Sequence, residues 1–163
     1  RAEAVKGNDE NAQVELLMER LQGRDNADAY AALKELLALS EATDAVSAHF
    51  DTFARLLHAK SAFARTRGFL LIVANARWDA EERTAGIFDD LARLFNDPKP
   101  TTARQCVQAA PALAQAQPTL VPRIAEALEG VDPGRYPDST APLVAADVAA
   151  ALEAVRALGS TAT

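Results

Sequence analysis

The chain has 163 residues, 49% of them hydrophobic and 25% charged, with one cysteine and a formal net charge of −6. This composition excludes a disordered segment and allows one domain with a substantial core. The acidic balance argues against general attraction to nucleic acid or an anionic membrane, and Cys106 alone excludes an intrachain disulfide or a multi-thiolate metal site.

Apolar residues recur at helical spacing along nearly the whole chain, and no segment alternates convincingly as a strand would. Val14, Leu17 and Leu21 form the first stripe, ending near Gly23. Tyr30, Leu33, Leu36 and Leu37 form the second, with Asp25 or Asn26 placed to cap it. Val46, Phe50, Phe53, Leu56 and Leu57 make a third, for which Ser40 or Thr43 is the candidate cap.

A fourth helix is predicted from Ser61 to Ala76, its apolar run FLLIVA covered on more than one side. Gly68 lies within it and costs about 1 kcal/mol of helix propensity relative to alanine. A close approach by a neighbouring backbone would account for it, so Gly68 marks an expected tight crossing. Ile87, Leu91, Leu94 and Phe95 define a fifth helix, closed by Pro98 and Pro100, and Thr101 or Thr102 is placed to cap the sixth.

That sixth helix carries Ala103, Cys106 or Val107, Ala110 and Leu113, with Pro111 predicting a bend or a division. Leu120, Val121, Ile124, Leu128 and Val131 supply a seventh, before the turn-rich VDPGRYPD. Val144, Val148, Leu152, Val155 and Leu158 form the last, ending near Gly159, with 160–163 as a frayed tail. The expectation is an all-α protein of about eight helices.

Internal similarity narrows the architecture. Ala64-Arg65 recurs 39 residues later as Ala103-Arg104, and Asp97-Pro98 recurs 35 residues later as Asp132-Pro133. Each unit reads as helix, turn, helix, which favours stacked pairs over a four-helix bundle. The predicted division is a single domain over 1–159, with 24–59, 60–98 and 99–132 as repeat-like units and 1–23 and 133–159 as caps.

The segments TARQCVQAAPALAQAQPTLVPRIAEALEGVDP and AFARTRGFLLIVANARWD resemble HEAT and armadillo repeats, over residues 26–132. FDTFARLL, SAFARTRGFLLIVANARWD and KPTTARQC, in that order, are also similar to small bacterial HEAT-like proteins. The resemblance implies a right-handed α-α superhelix of antiparallel helix pairs. It further implies a scaffold that binds protein or nucleic acid through a concave face, and it supplies no catalytic residue. Fold alone does not choose among those functions.

Residues 60–104 carry 8 basic and 6 acidic groups, whereas 1–59 carry 6 and 11 and 105–163 carry 3 and 6. The local excess of positive charge coincides with the polar residues around the fourth helix. Arg65, Arg67, Asn75, Arg77, Trp78, Lys99 and Arg104 are the interaction-surface candidates. Arg65 and Arg104 occupy equivalent positions, where an arginine fork can equally brace adjacent turns through Asp51, Asp79 or Asp97. Trp78 is expected chiefly to seal the core, and Asn75 to cap or bridge a turn, with ligand recognition as the alternative for each.

Signals for catalysis are poor. No H-x-x-x-H, paired-cysteine or glycine-rich phosphate pattern is present, and His49 and His58 point to opposite sides of one helical region. No metal or cofactor is expected. A DNA-base glycosylase of HEAT-like helices remains the enzymatic alternative, with Trp78, Arg65 and Arg67 beside Asp51 or Asp79 as a fragment of its site. The favoured reading is a non-catalytic scaffold with a protein partner, nucleic acid coming second. No apolar run reaches the roughly 20 residues that span a bilayer, and a cytoplasmic location is expected. Because the sequence opens on Arg1, further residues before it are allowed for.

Overall fold

The structure is a computed structural model that describes the backbone of residues 2–161 and the side chains of residues 7–160. Among the described residues it is all-α, with helices α1 (Ala2–Leu21), α2 (Asn26–Ala42), α3 (Phe50–Leu56) and α4 (Ala62–Asn75). These are followed by α5 (Arg83–Gly86), α6 (Phe88–Arg93), α7 (Pro100–Ala116), α8 (Val121–Glu129) and α9 (Ala141–Thr161).

Helices α2, α4, α7 and α9 pack side by side in that order, while α1, α3 and α8 lie against α2, α4 and α9 respectively. The four serial neighbours run the same way. Thr66 near the start of α4 meets Thr102 near the start of α7, and Asn75 at the end of α4 meets Ser40 near the end of α2. Arg104 and Asp147 make the corresponding contact between α7 and α9. Cross-element hydrogen bonds recur at separations such as 35, 36, 38, 41 and 43 residues. Such spacing joins helices that are neighbours in the row but separated in sequence by a further helix or more.

Phe53, Phe69 and Phe95 are fully buried at the centre, and the rings of Phe69 and Phe95 meet edge to face at 5.9 Å. Gly68 sits where α4 crosses α3. A Cβ there would lie 2.8 Å from both the Phe53 carbonyl oxygen and the Leu56 Cβ, so only glycine permits this approach.

Several local expectations change. The helix predicted through Ile87, Leu91, Leu94 and Phe95 is present as α6 and a 3-10 turn over 94–96, while the short α5 ahead of Ile87 is an additional element. The chain enters α5 through Glu82 in the left-handed region, at φ 59°. Ser40 is no cap; it is buried within α2, where its hydroxyl donates to the Leu36 carbonyl. Neither Thr101 nor Thr102 caps α7, which follows Lys99 and opens on Pro100, where proline's missing N–H costs nothing. Helix α7 runs unbroken past Pro111, and α9 continues through Gly159 to Thr161, while 162–163 lie outside the described residues. Tyr30 leaves its predicted apolar stripe and is 56% exposed.

Candidate binding groove

Helix α4 carries polar side chains at both ends, and its surroundings give them different tasks. Ser61 caps its start by accepting from the Ala64 N–H. Four residues into the helix, Arg65 donates to both carboxylate oxygens of Asp97 at 2.8 and 2.9 Å. Its remaining terminal nitrogen donates to the carbonyls of Ala59 and Lys60. The hydrogen bonds it donates to Asp97 outweigh burial and push the Arg65 pKa above its ordinary value. Arg104, near the start of α7, does similar work by donating to Asp147 at 2.7 Å, an acceptor the sequence did not nominate. Both arginines are braces.

The far end of α4 is a polar seam between helix ends. Asn75 is buried and donates to the Ser40 hydroxyl and the Leu71 carbonyl, leaving its own Oδ1 without a partner. Trp78 is not sealed in the core: it is 36% exposed, with its indole N–H donating to the Ser40 carbonyl at 2.7 Å. Arg77 is exposed and reaches the Glu41 carbonyl at 3.5 Å. Asp79 accepts from the Arg83 and Thr84 N–H groups at 3.0 and 2.6 Å and so starts α5, whereas Asp51 lies exposed in the first turn of α3. Cys106 is buried in α7, and burial pushes its thiol pKa far up, as an inert core sulfur requires.

Arg67 has a different setting. It is only 7% exposed, yet no carboxylate among the described residues pairs with it. One terminal nitrogen lies 3.5 Å from both the backbone carbonyl and the side-chain oxygen of Asn26, at the long limit for a hydrogen bond. Its guanidinium stands 5.7 Å from the centre of the Phe63 ring. Burial pulls its pKa down, and no acid offsets that shift.

Arg67 lines a groove of about 430 Å³ with Tyr30, Leu33, Phe63, Thr66 and Lys99. Asn26, Ala62 and Thr101, from the first turns of α2, α4 and α7, also line it, with Thr102 and Gln105 further along α7. Tyr30 and Phe63 are 56% and 60% exposed. No aspartate or glutamate lines the groove, although the chain carries 23 of them. An apolar, cationic recess on an acidic protein is the outcome.

The sequence candidates therefore do not converge. Arg67 and Lys99 share this groove, Asn75, Arg77 and Trp78 occupy the opposite end of α4, and Arg65 lines a separate cavity of about 480 Å³. In that cavity Arg65 is held by Asp97, while Arg93 donates to the Leu57 carbonyl and contacts His58. The sequence reading missed Phe63 and the outward turn of Tyr30. The i,i+4 spacing of Phe63 and Arg67, which stacks ring and cation on one helix face, was the available signal.

Among the described residues no group of three side chains is placed to hold a metal ion, and no helix is long and apolar enough to cross a membrane. Comparisons with models of protein families, with curated proteins and with solved structures found no match.

Proposed function

We propose that this chain is a non-catalytic scaffold, a HEAT/armadillo-like right-handed superhelix that binds a protein partner through the groove at the starts of α2, α4 and α7. The carrying observation is Arg67, a nearly buried cation without a carboxylate partner, stacked near Phe63 in a groove that Tyr30 also lines, both rings being exposed. Exposed aromatics beside an arginine are the residue types that concentrate binding energy at protein interfaces. The unit-to-unit hydrogen-bond spacing supports the superhelical reading, since a solenoid contacts itself only between neighbours.

The features that suggested a DNA-base glycosylase are engaged within the scaffold. Trp78 is tied to Ser40, Arg65 to Asp97, and Asp79 to the start of α5. The groove offers two cations, Arg67 and Lys99, few for a protein that must draw a polyanion against a net charge of −6.

Affinity capture from cell extract tests the proposal when wild type is compared with a Tyr30→Ser/Phe63→Ser variant and with an Arg77→Ser control at the other end of α4. Proteins retained by wild type and the control but lost from the double variant are the expected result. A retained set that ignores the groove residues, in folded proteins, overturns it.

A further inference from the structure

The unpaired state of Arg67 says what the groove accepts. Burying a cation without a counter-ion is costly, and native structures ordinarily supply an acid, as Asp97 does for Arg65 only two residues away. At Arg67 the compensation is a ring at 5.7 Å and two contacts at 3.5 Å, both from Asn26. Its Nε and Nη1 donate to no protein acceptor among the described residues, and the side chain borders the recess. Guanidinium donors in that condition match a carboxylate, whose two oxygens accept from a planar fork. Tyr30, Leu33 and Phe63 offer apolar area next to it, and Lys99 adds a second positive charge.

We infer that the groove receives a short peptide segment of a partner protein in which an acidic residue stands beside a large apolar one, the carboxylate pairing with Arg67 and the apolar side chain lying against Phe63 and Tyr30. This rests on the proposed protein-binding role and specifies its ligand. Charge complementarity selects the occupant: the recess has no acidic lining, while the remainder of the chain would repel an acidic segment. A phosphate-rich polymer fits less well, because the mostly apolar walls leave its charges unmet beyond the first contact.

The probe is an array of short Gly/Ser-framed peptides carrying Glu, Gln or Lys next to Phe, Leu or Ser, read by fluorescence anisotropy against the full chain. Glu beside Phe or Leu should bind about tenfold more tightly than its Gln counterpart, the worth of one charge-assisted pair. Arg67→Met should abolish that preference while leaving the thermal midpoint unchanged or raised, since an apolar side chain suits a buried position without an acid partner. Lys99→Gln should weaken binding to a smaller extent, and Arg104→Gln should leave it unchanged.

Equal binding of Glu and Gln peptides that still depends on Phe63 overturns the acid preference while sparing the groove as a binding face. Absence of binding to every peptide, or tighter Arg67-dependent binding of a single-stranded oligonucleotide, overturns the choice of an acidic peptide. A marked fall in thermal midpoint for Arg67→Met, with peptide discrimination intact, reassigns Arg67 as a brace.

Discussion

Arg65 and Asp97, 32 residues apart, form a two-pronged ion pair in which both carboxylate oxygens are engaged. Asp97 is 2% exposed, and it also accepts from the Lys99 N–H, while its backbone carbonyl accepts from the Tyr136 hydroxyl. One aspartate thus joins the starts of α4 and α7 to the turn before α9. Removing its charge by Asp97→Ala leaves the Arg65 guanidinium without its acid in a largely buried place, at a cost of about 3 kcal/mol. Arg104 and Asp147 are more exposed, so Asp147→Ala should cost clearly less. Urea unfolding midpoints at constant slope measure both; equal losses would mean that burial does not set the difference.

Gly68 tests the close approach of α4 and α3. An alanine there gains about 1 kcal/mol of helix propensity. Its Cβ, however, meets the Phe53 carbonyl oxygen, which belongs to the backbone of α3 and cannot rotate aside. Gly68→Ala should therefore destabilise the protein by about 2 kcal/mol net. Calorimetry or urea unfolding reads this directly, and a more stable variant would show that the helices separate freely.

Asp79 links stability to acid. Burial pushes its pKa up, but hydrogen bonds from Thr84 and Arg83, together with the Arg83 charge, outweigh burial and hold it below the ordinary carboxylate value. A group with a depressed folded pKa contributes stability above its unfolded value of about 3.9, and that contribution is lost as pH falls through the folded value. Asp79→Asn should cost about 1 kcal/mol at neutral pH and flatten the stability profile below pH about 4. Unfolding midpoints across the acid range check it; parallel profiles for the two proteins would remove Asp79 from the acid response.

Much of the helical layout was legible in the chain because its causes are local. The stripes of Val14, Leu17 and Leu21 and of Ile124 and Leu128 bury as their spacing predicts, and Ser61 caps α4 where a serine before an apolar run should. Gly68 pointed to a close approach because the apolar pattern continues through it, which disfavours a helix break. The stripe of Ile87, Leu91, Leu94 and Phe95 marks α6 and the 3-10 turn after it, whereas the four-residue α5 is too short to show a helical period. Periodicity points Tyr30 inward, but the buried face of α2 runs through Ala29, Ala32, Leu33, Leu36 and Ser40 and leaves Tyr30 outside it.

The sequence by itself determined that the protein is helical and which side of most helices is apolar. It could not assign tasks to Arg65 and Arg67. At 3.6 residues per turn these neighbours point about 200° apart, toward different helices. Only tertiary packing decided that Asp97 would stand opposite one and Asn26 opposite the other. Charge in a helix is local chemistry, but its neutralisation depends on a residue brought from a distant part of the chain. That difference makes Arg65 a brace and leaves Arg67 with donors to offer.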